Sequence, residues 1–245
     1  MRRRACGGAL IAPRFVLTAR HCVSWDGSGR VVDGRAVQLW LGSHGAEGQD
    51  GLRVPVKRIL VRPDYQAPAC SQGVWCPPWA FWADSTLTND IAILELMWRA
   101  PPTPKIRPVT VASHTPPPGT TAWVGGWGLD GSHPTPTLNL APMAIQKDNF
   151  RECKQQAAPG KMCVIGKDLG GPCPGDSGSP LIVYSRGTGP SLVGLVSNGA
   201  ASCTAGLPNI FTRASRYYDW IQLAMNTAAA PRLHRRYRPR RHRYY

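Results

Sequence analysis

The chain has 245 residues, 42% of them hydrophobic, enough to bury a sizeable core in one or two domains and too many for a disordered protein. Its 26 glycines and 24 prolines make up about a fifth of the residues, which suits short strands joined by turns and argues against long helices, so the expected class is all-β. The net charge of +15 comes from 29 Lys and Arg against 14 Asp and Glu, and no apolar stretch is long enough to span a membrane.

The chain opens with "MRRRACGGALIAPRF", whose apolar run is too short and too broken by glycine for a signal peptide. "RFVLTA" then reads as a strand, followed directly by Arg20, His21 and Cys22. "AVQLWLG", "VKRILV" and "IAILELM" read as further strands, because each is an alternating or continuous apolar run bounded by turn signals. Before the last of these, "CSQGVWCPPWAFWADS" looks like a loop insertion stapled locally by Cys70 and Cys76. The proline-rich "VTVASHTPPPGTT" marks a boundary. The organisation read from it is a first half over residues 1–110, a connection over 111–122, a second half over 123–226 and a tail over 227–245.

In the second half "TAWVGGWG", "PLIVYS" and "SLVGLVS" read as strands. The one convincing helix is "SRYYDWIQLAMN", with Ser215 as its cap and Tyr217, Trp220, Ile221 and Ala224 on one face. The tail holds Arg232, Arg235, Arg236, Arg238, Arg240, Arg241 and Arg243 in its last fourteen residues and has no apolar period. It reads as solvated chain, either without a partner or drawn to a polyanion such as a sulfated glycan, nucleic acid or an anionic membrane. The eight cysteines, Cys6, Cys22, Cys70, Cys76, Cys153, Cys163, Cys173 and Cys203, form no zinc-like CxxC pair. An even set of this kind fits a disulfide framework formed in an oxidising compartment better than a metal site.

The chemistry centres on "GGPCPGDSGSPL", which places Ser177 between Asp176 and Gly178. A serine hydroxyl is inert near neutral pH unless a base removes its proton, the base is oriented, and donors await the developing oxyanion. His21, beside Cys22 in "VLTARHCV", is a candidate base, although a lone histidine is more often simply packed. Asp90, at the entrance to an apolar strand in "TNDIAILEL", is a candidate orienting acid, since its burial demands a hydrogen-bond partner. A turn cap explains it equally well in isolation.

The order His21, Asp90, Ser177, each in its own motif, resembles that of the chymotrypsin-like serine proteases. "CGGALIAPRFVLTARHC", "NDIAILEL", "WVGGWG", "GDSGSP" and "GLVSNG" match that family's motifs in sequence order, from about Cys6 to Asn226. The resemblance implies two six-stranded antiparallel β-barrels with a C-terminal helix and the site in the cleft between the barrels. It makes Ser177 the nucleophile, His21 the base and Asp90 its support, with the N–H groups of Gly175 and Ser177 as the oxyanion hole. Ser197 is then the serine that contacts Asp90, and Gly171, Asn198, Gly199 and Asn209 join it in binding substrate. The implied bridges are Cys6–Cys22, Cys153–Cys163 and Cys173–Cys203, with Cys70–Cys76 peculiar to this chain. A further bridge common in the family is replaced by Ala122 and Val183.

Several residues depart from the family pattern. Arg20 replaces a small residue and puts a cation where it can compete with His21 for Asp90. Ser179 replaces a glycine, and Asn198 a tryptophan of the cleft. Gly171 offers no carboxylate to a substrate Arg or Lys, so cleavage after small or medium neutral residues is expected, unless a loop shift brings Asp168 to the pocket. Only "MRRRA" precedes Cys6, where the family carries a first strand and a freed amino terminus that pairs with the aspartate matching Asp176. The expectations are therefore a truncated N-terminus, an Asp176 turned out to water, and little activity in the chain as written. The remaining expectations are a secreted monomer acting on a peptide or protein substrate, with no cofactor and no metal. A non-catalytic protease-like binding protein and a polyanion-binding basic module stay open as other classes.

Overall fold

Short apolar runs separated by proline and glycine can satisfy their backbone groups only by pairing with one another, and they do so mainly as antiparallel strands. The computed structural model describes residues 5–24, 30–65, 88–130, 133–156, 160–167, 170–185, 187–198 and 207–229. Outside these lie the insertion with Cys70 and Cys76, together with Asp168, Gly199, Cys203 and the arginine-rich tail.

In the first half, β1 (Ala9–Ala12), β2 (Phe15–Thr18), β5 (Val56–Val61) and β6 (Ala92–Leu96) form a sheet in the order β1-β2-β6-β5, all antiparallel. β3 (Trp40–Leu41) and β4 (Leu52–Arg53) pair as a separate ribbon. Leu41 of that ribbon joins Val16, Val56, Leu94 and Leu96 in one core, so sheet and ribbon enclose a shared interior. The expected strand "AVQLWLG" is thus reduced to its last apolar pair. β6 is buried along its whole length between β2 and β5. Its one charge, Glu95, is 2% exposed and is met by Arg14, Lys57 and Arg58. Burial alone would raise the Glu95 carboxyl; the bonds from Lys57 and Arg58 reverse that and lower it.

From the connection onward the chain forms β7 (Thr110–Val111), β8 (Thr121–Gly126), β9 (Leu129–Asp130), β10 (His133–Pro134), β11 (Asn139–Ile145), β12 (Lys161–Gly166), β13 (Pro180–Ser185), β14 (Gly189–Asn198) and β15 (Pro208–Arg213). The order β13-β8-β11-β12-β15-β14 returns to β13, which closes a six-stranded antiparallel barrel; β7 is added in parallel to β14, and β9 and β10 form a small hairpin. Inside the barrel Ala122, Val124, Met143, Val164, Leu181, Val183 and Phe211 pack together. The β8–β13 register sets Ile182 opposite Trp123, and the adjoining residues Val183 and Ala122 both belong to this core. Those two positions therefore trade a cross-link for apolar packing.

A 3₁₀ turn, Ala214–Tyr217, leads into α1, Tyr218–Ala229. Ser215 does not cap it: its hydroxyl lies 2.9 Å from that of Thr115, and the residue before the turn is Arg213. The predicted face holds, with Tyr217 and Ile221 buried and Trp220 and Ala224 packed against them. Their cluster also takes in Ile11, Phe15, Leu17, Ile91 and Ile93 of the first half and Leu192 and Leu195 of β14. This seam between the two halves positions the site. Among the described residues no helix is long and apolar enough to cross a membrane.

Candidate active site

β2 ends at Thr18, and the chain turns at once into a 3₁₀ turn, Arg20–Val23, that buries His21. The Cys6–Cys22 disulfide ties this turn to the segment before β1. Opposite it, Asn89 adopts a left-handed conformation, φ +52°, which asparagine tolerates better than most residues. Its amide donates to the carbonyl of Asp64, and its side-chain oxygen accepts from the Tyr217 hydroxyl. Held in this way, Asn89 aims Asp90 inward at the mouth of β6.

Asp90 is 1% exposed. Its Oδ1 accepts from the His21 backbone N–H at 2.9 Å, and its Oδ2 accepts from His21 Nδ1 at 2.8 Å and from the Ser197 hydroxyl at 2.6 Å. An ionised carboxylate only accepts, so the proton shared with Asp90 sits on His21 Nδ1. Thr212 Oγ1 donates to the Asp90 carbonyl at 2.9 Å. Burial would push the Asp90 carboxyl up. The His21 charge and N–H, Lys161 and the Ser197 hydroxyl outweigh it and hold the carboxyl at about 2. Arg20 does not displace His21; it lies 5.0 Å from the centre of the Tyr65 ring and acts on Asp90 through its charge.

Ser177 comes from the turn before β13 and is 3% exposed. Its carbonyl accepts from Gly7 N–H at 2.7 Å and lies 3.5 Å from the Cys22 sulfur, while the Gly7 carbonyl accepts from Thr18 Oγ1 at 2.8 Å. The serine turn is thus stitched to the backbone that carries His21. The neighbouring glycines allow it: Gly175 has φ +107° and Gly178 φ +77°, both in the region that favours glycine. Among the described residues no acceptor takes the N–H of Gly175 or of Ser177. Ser179 fills the space that a Gly7 side chain would need, since a Cβ there would come 2.1 Å from Ser179 Oγ.

Asp176 does not turn out to water. Its Oδ1 accepts from Gly128 N–H at 2.7 Å and its Oδ2 from Cys173 N–H at 2.9 Å. Burial raises its carboxyl, and the two N–H donors only partly offset that. Two backbone donors are enough to keep the carboxylate facing inward. Gly171 and Asn209, predicted to share a pocket, are in contact: a Cβ on Gly171 would lie 2.6 Å from Asn209 Nδ2. Asn209 and Asn198 are both buried, on β15 and β14. Cys153 is bonded to Cys163, and Cys173 is also disulfide-bonded. Cys6, His21 and Cys22 offer ligand atoms within 4.8 Å of one another, but the two sulfurs are bonded to each other and supply no thiolate.

Sequence reasoning missed Asn89, Thr212 and Lys161. A lysine opening an apolar strand reads as a solvated end, yet Lys161 is 7% exposed and its Nζ donates to Ser197 Oγ at 3.1 Å.

Comparison with known proteins gives a consistent picture. The Trypsin family model matches residues 1–221. Human Serine protease 56 is 29% identical over 240 residues, which take in 92% of this chain and 35% of that protein, so the chain spans about a third of that relative's length. Kallikrein-15 of Saguinus oedipus is 31% identical over 244 residues, covering 90% of this chain and 81% of the relative. Among solved structures, neuropsin, described as a serine protease expressed in the limbic system of mouse brain, superposes with a TM-score of 0.70 at 28% identity, over 90% of this chain and 89% of that one.

Proposed function

The chain belongs to the Trypsin family, and from that premise we propose that it is a serine endopeptidase in which Ser177, His21 and Asp90 act as a catalytic triad. The observation that carries the reading is the buried His21–Asp90 pair, bonded at 2.8 Å, with the Ser177 turn fastened to the same backbone. Ser177 Oγ attacks the substrate carbonyl carbon while His21 Nε2 takes its proton. Asp90 holds the ring and supports the imidazolium. The oxyanion faces the N–H groups of Gly175 and Ser177. As the intermediate collapses, the C–N bond breaks and His21 returns the proton to the leaving amine. Water then attacks the acyl-enzyme by the same route in reverse and frees Ser177.

Gly171 and Asn209 shape the pocket for the residue before the scissile bond, with Ser197 and Asn198 along its edge. A neutral amide beside a glycine favours small or medium neutral residues over Arg or Lys. The disulfides support a secreted enzyme working in an oxidising compartment. The test is labelling with a fluorophosphonate followed by peptide mapping: Ser177 is the expected site, and His21→Ala lowers the rate by several powers of ten. Labelling that persists undiminished in His21→Ala overturns the triad.

A further inference from the structure

A buried lysine beside a buried carboxylate is costly unless both are engaged, and here they are joined through one hydroxyl. Lys161 opens β12 opposite Thr212 of β15, the residue whose hydroxyl binds the Asp90 carbonyl. From there its Nζ reaches Ser197 Oγ at 3.1 Å, and Ser197 Oγ lies 2.6 Å from Asp90 Oδ2. An ammonium has three donors and no acceptor. Ser197 must therefore accept from Lys161, which leaves its single proton for Asp90. The result is a directed chain from Lys161 through Ser197 to Asp90, with His21 donating to the carboxylate from the other side.

We propose that Lys161 is a positioning residue for the triad, its ammonium fixing the Ser197 hydroxyl on Asp90 and its charge weakening the support that Asp90 gives to an imidazolium. The proposal rests on the triad reading above and extends it to a residue that touches neither substrate nor the reacting atoms. The groups that act on Asp90 come from every element packed around it: His21 and Arg20 from the turn after β2, Tyr65 from the loop after β5, Lys161 from β12, Ser197 from β14, and Tyr217 from the turn before α1. The two tyrosines are kept neutral by burial. Among the described residues, the fixed charges named as acting on this carboxylate are thus two cations, Arg20 and Lys161. Protonating His21 would add a third, so Lys161 acts against the charge that develops during attack. The backbone carbonyl of Lys161 is itself held by Arg213, which pairs with Asp148, so the strand end carrying the ammonium is fixed in place.

The experiment compares the full chain with Lys161→Met, Lys161→Gln and Lys161→Arg. One readout is the pH dependence of the second-order rate of fluorophosphonate labelling. The other is the proton resonance of His21 Nδ1–H, which needs no activity. Met and Gln are expected to move the acid limb of the labelling profile to higher pH by about one unit, the size of removing one nearby fixed charge. The Nδ1–H resonance is expected to move downfield as Asp90 becomes the stronger acceptor, and Arg is expected to leave both readouts at the wild-type position. Gln keeps a donor for Ser197 without the charge. A Gln variant that behaves as wild type while Met shifts would overturn the electrostatic role. Coincident profiles and resonances in all four proteins would overturn the proposal entirely, as would failure of both neutral variants to fold, which would make Lys161 a structural residue. Labelling that survives His21→Ala would instead refute the triad, and the resonance would still report whether Lys161 is coupled to the His21–Asp90 pair.

Discussion

Replacing Gly178 with alanine tests how the serine turn is held against the histidine turn. At φ +77°, an alanine Cβ would come 2.3 Å from Thr18 Oγ1, 2.6 Å from the Gly7 carbonyl oxygen and 3.0 Å from Ala19 N. The left-handed backbone alone costs a non-glycine residue about 1–2 kcal/mol, and forcing atoms into a filled site adds about 1–3 kcal/mol. Gly119 supplies the control, with φ +86° and nothing within 4 Å of its virtual Cβ. At about 2–4 °C per kcal/mol for a chain of this size, Gly119→Ala is expected to lower Tm by about 5 °C and Gly178→Ala by about 10 °C or more. The crowded atoms, Thr18 Oγ1 and Gly7 O, are bonded to each other, and Gly7 N–H holds the Ser177 carbonyl. Labelling measured well below both melting temperatures should therefore fall in Gly178→Ala and not in Gly119→Ala. Calorimetry and labelling on the same preparations decide it. Equal melting temperatures in the two variants, or equal labelling, would refute the argument that packing at Gly178 registers Ser177 to His21.

Two further predictions concern charge and specificity. The Asp90 carboxyl sits at about 2 in the folded chain, below the ordinary value of about 3.9, so its stabilisation is fully present above roughly pH 4 and lost as pH falls through about 2. The stability gap between wild type and Asp90→Asn, followed by denaturant unfolding, should narrow by about 2 kcal/mol between roughly pH 5 and pH 2; a gap independent of pH contradicts this. Gly171→Ala, whose Cβ would crowd Asn209 Nδ2 at 2.6 Å, is expected to raise KM for neutral peptide substrates about tenfold, with recovery when Asn209→Ala is added. An unchanged KM in the single variant would place the pair away from the specificity pocket.

The sequence revealed the parts of the site that sit in local motifs and concealed those made by pairing between distant strands. His21, Asp90 and Ser177 each stand beside a turn or strand that can be read from neighbours, and α1 announced its buried face through the spacing of Tyr217, Trp220, Ile221 and Ala224. Lys161 could not be read in this way. Its partner, Ser197, is 36 residues along the chain, and only the pairing of β15 with both β12 and β14 brings those two strands to its opposite sides. Ser215 departs from its expected place for a similar reason: a cap is a local expectation, and the hydroxyl finds a partner at Thr115 across the seam. Asp176 reads in the sequence as a carboxylate that seeks water, because no cation stands beside it, but Gly128 and Cys173 supply N–H donors that no residue-type pattern advertises.

The helix that ends the described chain also has a consequence for synthesis. α1 is the last element of the described residues, yet its buried face packs on Phe15, Leu17, Ile91 and Ile93, and Arg58 of β5 donates to the carbonyl of Ala228 near its end. A ribosome therefore completes the first sheet long before it makes the element that covers it. At about 5–20 residues per second, the interval between finishing β6 and finishing α1 is on the order of ten seconds. During that interval the apolar face of the first half is open to whatever is nearby, so the nascent chain is expected to depend on chaperone binding at that face until its final turn of helix emerges.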